Sequence, residues 1–156
     1  MPNSTFNSMP TTMVQGNSKI RFNDDGGLEL LLVNKTGAPS VKGTVVSSHT
    51  TDFGVIKTII DRPDPYGIIA ESDVADGDNV WVTVSGIAEV LFVGDAVAGH
   101  FARICVAGDA DAADGKAISE VRPSSPFATD KHFMEIGHVI TSHTGAGLAK
   151  VILHFN

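Results

Sequence analysis

From Leu28 to Phe155 apolar and β-branched residues come in short runs, and Gly, Pro, Asp or Asn interrupts nearly every one. That punctuation excludes long helices, which need an unbroken 3.6-residue period over about ten residues or more. Strands are expected at "LELLLV", "TVVSS", "GVIKTII", "GIIAE", "NVWVTVSG", "AEVLFV", "FARICVA", "GHVIT" and "LAKVILHF". Val80, Val82 and Val84 alternate with Trp81 and Thr83, the period of two that a strand with one core face requires. In the last run Ala149, Val151 and Leu153 alternate with Lys150, Ile152 and His154, and both faces are partly apolar. One of those faces is expected to meet a neighbouring subunit. Short strands at close spacing point to an all-β sandwich or barrel.

Two stretches break this rhythm. Residues 1–27, "MPNSTFNSMPTTMVQGNSKIRFNDDGG", are rich in Asn, Ser and Thr, and only "KIRF" has strand character. The segment is expected to be an N-terminal arm that orders against a partner through Phe6, Met9, Met13, Val14, Ile20 and Phe22. Residues 28–156 then form the folded domain. Around residues 107–131 small residues, aspartates and "RPSSP" describe a long surface excursion, with "KAISEV" as a short strand inside it. Between the first two strands, "NKTGAPSVKG" is a chain reversal. Gly37 is free to take positive φ, Pro39 holds Ala38 extended, and Gly43 begins the next turn.

The chemistry-bearing residues do not assemble into a motif. A net charge of −7 without any Lys/Arg cluster argues against nucleic acid as a partner. No apolar run is long enough for a signal peptide or a membrane span, so the chain is expected to stay in solution, away from membranes. Cys105, the single cysteine, sits in an alternating apolar segment and reads as a buried small hydrophobe. The 6 histidines lack H-x-H or H-E-x-x-H spacing. Of these, His138 and His143 flank a turn and could converge, but surface-loop histidines are commoner and no metal or other cofactor is expected. "DADAADG" places its third acid and its glycine one position late for a calcium loop and reads as a solvated acidic loop. Nucleophile elbow and phosphate loop are both absent, and no enzyme is expected.

The turn glycines and strand patterns taken together resemble a known family. "VNKTGAPSVKGTVV", then "YGIIAESDVADGDNVWVTVSGIAEVLF", then the closing "IGHVITSHTGAGLAKVILHFN" are similar to the capsid cement, or head decoration, proteins of tailed bacteriophages. The resemblance rests on Asn34, Thr36, Gly37, Gly43 to Val46, Gly67 to Ala70, Gly77, Gly86, Ile136, Gly137 and Gly145 to Phe155. It implies a small β-barrel or β-tulip-like domain, usually a homotrimer, on the outer surface of the virion. There it would bridge subunits of the major capsid protein. Trp81, Ile152 and His154 are the expected trimer-interface residues. Two alternatives belong to other classes: a virion-surface module that binds saccharide or host surface, and a trimeric β nucleotide hydrolase. The hydrolase rests on "GIIAESDVADGD", which lacks the Tyr-Arg-Gly continuation of such an active-site loop.

Overall fold

The computed structural model describes residues 19–62, 64–121 and 133–155, and every regular element among them is a strand. The strands are β1 (Ile20–Phe22), β2 (Leu28–Asn34), β3 (Val45–Ser48), β4 (Gly54–Lys57) and β5 (Gly67–Ile69). They continue with β6 (Asn79–Phe92), β7 (Phe101–Ile104), β8 (Ala117–Glu120), β9 (Glu135–Val139) and β10 (Gly147–Leu153). Each falls within or overlaps a run expected from the sequence.

The pairings close twice. The order β2–β4–β3–β5–β6 returns to β2, where Leu28–Val33 run antiparallel to Asn79–Ser85. The order β6–β10–β9–β7–β8 returns to β6 through the parallel pair Phe92 and Ala117. Two five-stranded rings therefore share one 14-residue strand, β6. Closure leaves few unpaired edges, which for a protein rich in short strands removes a route to aggregation.

Alternation distributes the core between the rings. Val46, Val55, Ile69, Val80 and Val82 form one apolar cluster. The neighbouring residues Val45 and Ile68 point the opposite way, into a larger cluster with Val90, Phe92, Ile104, Ile136 and Val151. Strands β3 and β5 are thus buried on both faces, which accounts for the adjacent apolar pairs Val45–Val46 and Ile68–Ile69. Full burial of such side chains contributes about 1.5–3 kcal/mol each.

Strand β6 departs from the sequence expectation of two strands separated at Gly86. Gly86 has φ 79°, and a Cβ there would collide with the Gly26 carbonyl and lie 2.9 Å from Gly27 Cα. The glycine is a bend under a crossing backbone rather than a turn. The chain passes through it from one ring into the other.

The quoted reversal is held by Asn34, which is fully buried. Its Nδ2 donates to Ala38 O and Val74 O at 2.9 Å each. Its Oδ1 accepts from the Thr36 N–H at 3.1 Å and the Thr36 hydroxyl at 2.8 Å. Gly37 has φ 76° in open space, whereas Gly43 (φ 87°) packs against Leu148 and Leu91 where no Cβ fits.

Two expectations need correction, and a third, the strand inside the excursion, is met with a larger role than expected. Residues 19–27, read as the end of the arm, are bound to the body: β1 pairs with β2, and Leu31 N–H donates to Lys19 O at 2.8 Å. The segment turns back because the Asn23 side chain accepts the Asp25 and Gly27 N–H groups. The strand inside the excursion at 107–131 is β8, with Ala117 fully buried, and it closes the second ring. The acidic loop is not simply solvated. Asp109 grips the buried Arg103 with two hydrogen bonds of 2.7 and 2.8 Å, while Glu120 takes its Nε. These bonds, Asp109 first, hold the guanidinium still more firmly protonated than usual. Asp114 accepts the Ile60 N–H at 2.9 Å.

Candidate functional site

A departure from a simple inside–outside pattern lies on the outer face of the second ring, where β9 and β10 meet. On β10, Ala149, Val151 and Leu153 enter the core and Ile152 stays 46% exposed. Lys150, between them on the outer side, is paired with Asp25 at 2.6 Å, which raises its pKa and ties the β1–β2 turn to the last strand. Ile152 stands opposite His138 on β9 and opposite Ile87 on β6.

A bulge then arranges three polar groups. Against β7, Gly137 faces Ala102 but Glu135 faces Arg103, so Ile136 is an extra residue in β9. Residues three apart on a regular strand point to opposite faces; the extra residue places Glu135 and His138 on the same one. His154 follows Leu153 on β10, its N–H donating to Ile136 O at 2.7 Å, so its side chain emerges beside Glu135. Glu135 Oε1 lies 3.6 Å from His138 Nε2 and 3.6 Å from His154 Nδ1. The imidazoles are roughly parallel, with centroids 6.1 Å apart, and Phe101 packs edge-on against His138 at 5.0 Å. Glu135 is buried and both histidines are exposed.

His138 and His143, which flank a turn in the sequence, are not the pair brought together in this arrangement. His143 instead forms a bridge with Ala96 on the other side of the hairpin. His49 accepts the Thr51 N–H within a turn, and His100 shares a hydrogen bond with Ser119. His132 lies outside the described residues.

The remaining residues singled out from the sequence are scattered. Phe6, Met9, Met13 and Val14 lie outside the described residues. Ile20 and Phe22, on β1, are 40% and 53% exposed. Between them Arg21 reaches back over the Trp81 ring at 4.3 Å and pairs with Glu29. Trp81 is half-buried opposite Leu31. It lies in the part of β6 paired with β2 in the first ring, whereas Ile152 and His154 belong to the second ring, beyond the bend at Gly86. In the loop read as a faint nucleotide-hydrolase site three polar side chains bond to backbone and serve the fold. Glu71 accepts the Trp81 N–H, Ser72 accepts the Lys42 N–H, and Asp76 accepts the Gly37 N–H.

No protein-family model matches the chain, and no curated protein matches it. Among solved structures it is similar to the N base of the head fiber protein gp8.5 of bacteriophage phi29. The superposition has a TM-score of 0.54 with 14% sequence identity, and covers 81% of this chain and 92% of that one. The two share a fold. Agreement over nearly the whole of the fiber base includes both rings rather than a single common hairpin, because 81% of this chain cannot be drawn from either ring alone.

Proposed function

We propose that this chain is a structural protein of a phage virion that decorates the outside of the capsid and braces neighbouring major capsid protein subunits. The observation that carries the reading is the fold shared with a head fiber base over 81% of this chain. It agrees with the independent resemblance of the turn glycines and strand patterns to capsid cement proteins. The surface is also suited to being covered. Ile20, Phe22 and Phe53 are exposed, as are Ile152 and Phe133. Glu71, Ser72, Asp76, Asp95 and Asp114 are loop side chains occupied in holding backbone, which suits a protein with surfaces to match rather than a reaction to run.

In this reading the body is a homotrimer on the capsid, with Ile152 and His154 at one intersubunit contact and Trp81 in a second region along β6. Residues 1–18 together with Ile20 and Phe22 reach the capsid. The test is co-sedimentation of purified protein with expanded and unexpanded heads of the phage that encodes it, alongside its solution mass. Saturable binding that favours expanded heads supports a brace for the mature shell. Failure to bind either form overturns the reading, and binding to host-cell envelopes instead would favour the adhesion alternative.

A further inference from the structure

The geometry points to a divalent transition-metal site, zinc by the character of its donors, formed by Glu135, His138 and His154. Two imidazole nitrogens and one carboxylate oxygen are a donor set that zinc takes in sites with an open fourth position. All three donor atoms lie within 4.8 Å of one another, and Oε1 of Glu135 is 3.6 Å from each imidazole nitrogen. Zinc–nitrogen and zinc–oxygen distances of about 2.0–2.1 Å place tetrahedral donors about 3.3 Å apart. The two glutamate–histidine separations of 3.6 Å are therefore within about 0.3 Å of that spacing, and the two histidine donors, within 4.8 Å, need at most about 1.5 Å of approach.

The site is anchored unequally, in a way that suits binding. Glu135 is 6% exposed and fixed by the sheet. His138 is oriented by the edge-on contact with Phe101. The two histidine side chains are 48% and 56% exposed, so an ion and its water ligand can reach them from solvent. Each donor comes from a strand end or bulge that neither sequence spacing nor a local motif would bring together. An ion here would cross-link β9 to the residue that follows β10, fastening the last strand where its pairing with β9 ends at Leu153. The inference stands independently of the capsid reading, since it rests only on the three side chains and their backbone setting.

The experiment is calorimetric titration of the metal-free full chain with zinc chloride, with melting temperature read in parallel and cobalt(II) as a spectroscopic substitute. One ion per chain is expected, with the melting temperature raised by about 5–10 °C when free zinc is a hundredfold above its dissociation constant. Cobalt should give visible absorption of four- or five-coordinate strength. His138→Gln and His154→Gln, both at exposed positions, should each weaken binding at least tenfold, while His49→Gln and His143→Gln leave it unchanged. Absence of saturable one-to-one binding up to about 1 mM zinc would overturn the proposal. So would equal binding in the His138→Gln and His154→Gln variants, which would mark adventitious capture by other surface histidines. Circular dichroism of each variant separates lost ligation from lost fold.

Discussion

Asn34 offers a sharp test of how the first ring is held. Its side chain is fully buried and makes four hydrogen bonds, two donated to Ala38 O and Val74 O and two accepted from Thr36. Each such bond contributes about 0.5–1.5 kcal/mol, and stranding the buried carbonyls adds to the loss. Asn34→Ala should therefore cost about 3–5 kcal/mol. In a chain of 156 residues, with roughly 2–4 °C of melting temperature per kcal/mol, this corresponds to about 10 °C. The informative companion is Asn34→Asp, which keeps shape and volume. It retains an acceptor for Thr36 but turns the amide donor into an oxygen facing two carbonyls. At neutral pH it also buries a charge. Its cost should equal or exceed that of the alanine variant. Burial raises the carboxyl pKa in the folded state, so the folded protein holds the proton more tightly than the unfolded one. The deficit should then shrink as pH falls from 7 to 4 and grow again as pH rises. Urea denaturation of the three proteins at both pH values measures this. An aspartate variant within about 0.5 kcal/mol of the parent at pH 7 would refute the hydrogen-bond account and leave only a packing role.

Two further outcomes follow from the backbone crossing and the buried thiol. Gly86→Ala combines a positive-φ penalty of about 1–3 kcal/mol with a collision against Gly26 and Gly27, and should lose about 2–5 kcal/mol in denaturant titration. Gly94→Ala, with nothing within 4 Å of the added carbon, should stay within about 1 kcal/mol of the parent. Cys105 is 1% exposed, and its thiol pKa is raised chiefly by burial. It should react with a thiol reagent only as fast as the protein opens. The same shift contributes stability below the unfolded thiol pKa of about 8.5, which is lost as pH rises through the folded value. Cys105→Ala should flatten part of that alkaline decline, as seen by comparing denaturation midpoints at pH 7 and pH 10.

Strand positions were legible because burial on one face imposes a period of two, as at Val80, Val82 and Val84, and glycines and aspartates stop each run. The all-β class follows from that alone. What lay beyond reach was contact between distant strands. Gly86 reads as a turn because sequence does not show the backbone of Gly26 and Gly27 crossing above it. Asp109 reads as solvated because its partner Arg103 lies on a strand whose neighbours are unknown until the ring closes. The group of Glu135, His138 and His154 was hidden for two reasons. An odd spacing normally separates Glu135 from His138, and only the bulge at Ile136 cancels it. His154 joins them by cross-strand register, which no local motif encodes.

Because β6 belongs to both rings, synthesis from the N-terminus meets them in a fixed sequence. Every strand of the first ring, including the half of β6 that faces β2, has been made once residue 85 has left the ribosome. The second ring needs β10, and so waits for residue 153. In that interval the other half of β6, with Val90 and Phe92, is an exposed apolar strand attached to a closed barrel. The nascent chain is then a half-built molecule with one adhesive edge, and translation speed across residues 93–146 sets how long that edge stays open. Slowing the ribosome there should raise aggregation or chaperone capture without altering the stability of the finished protein.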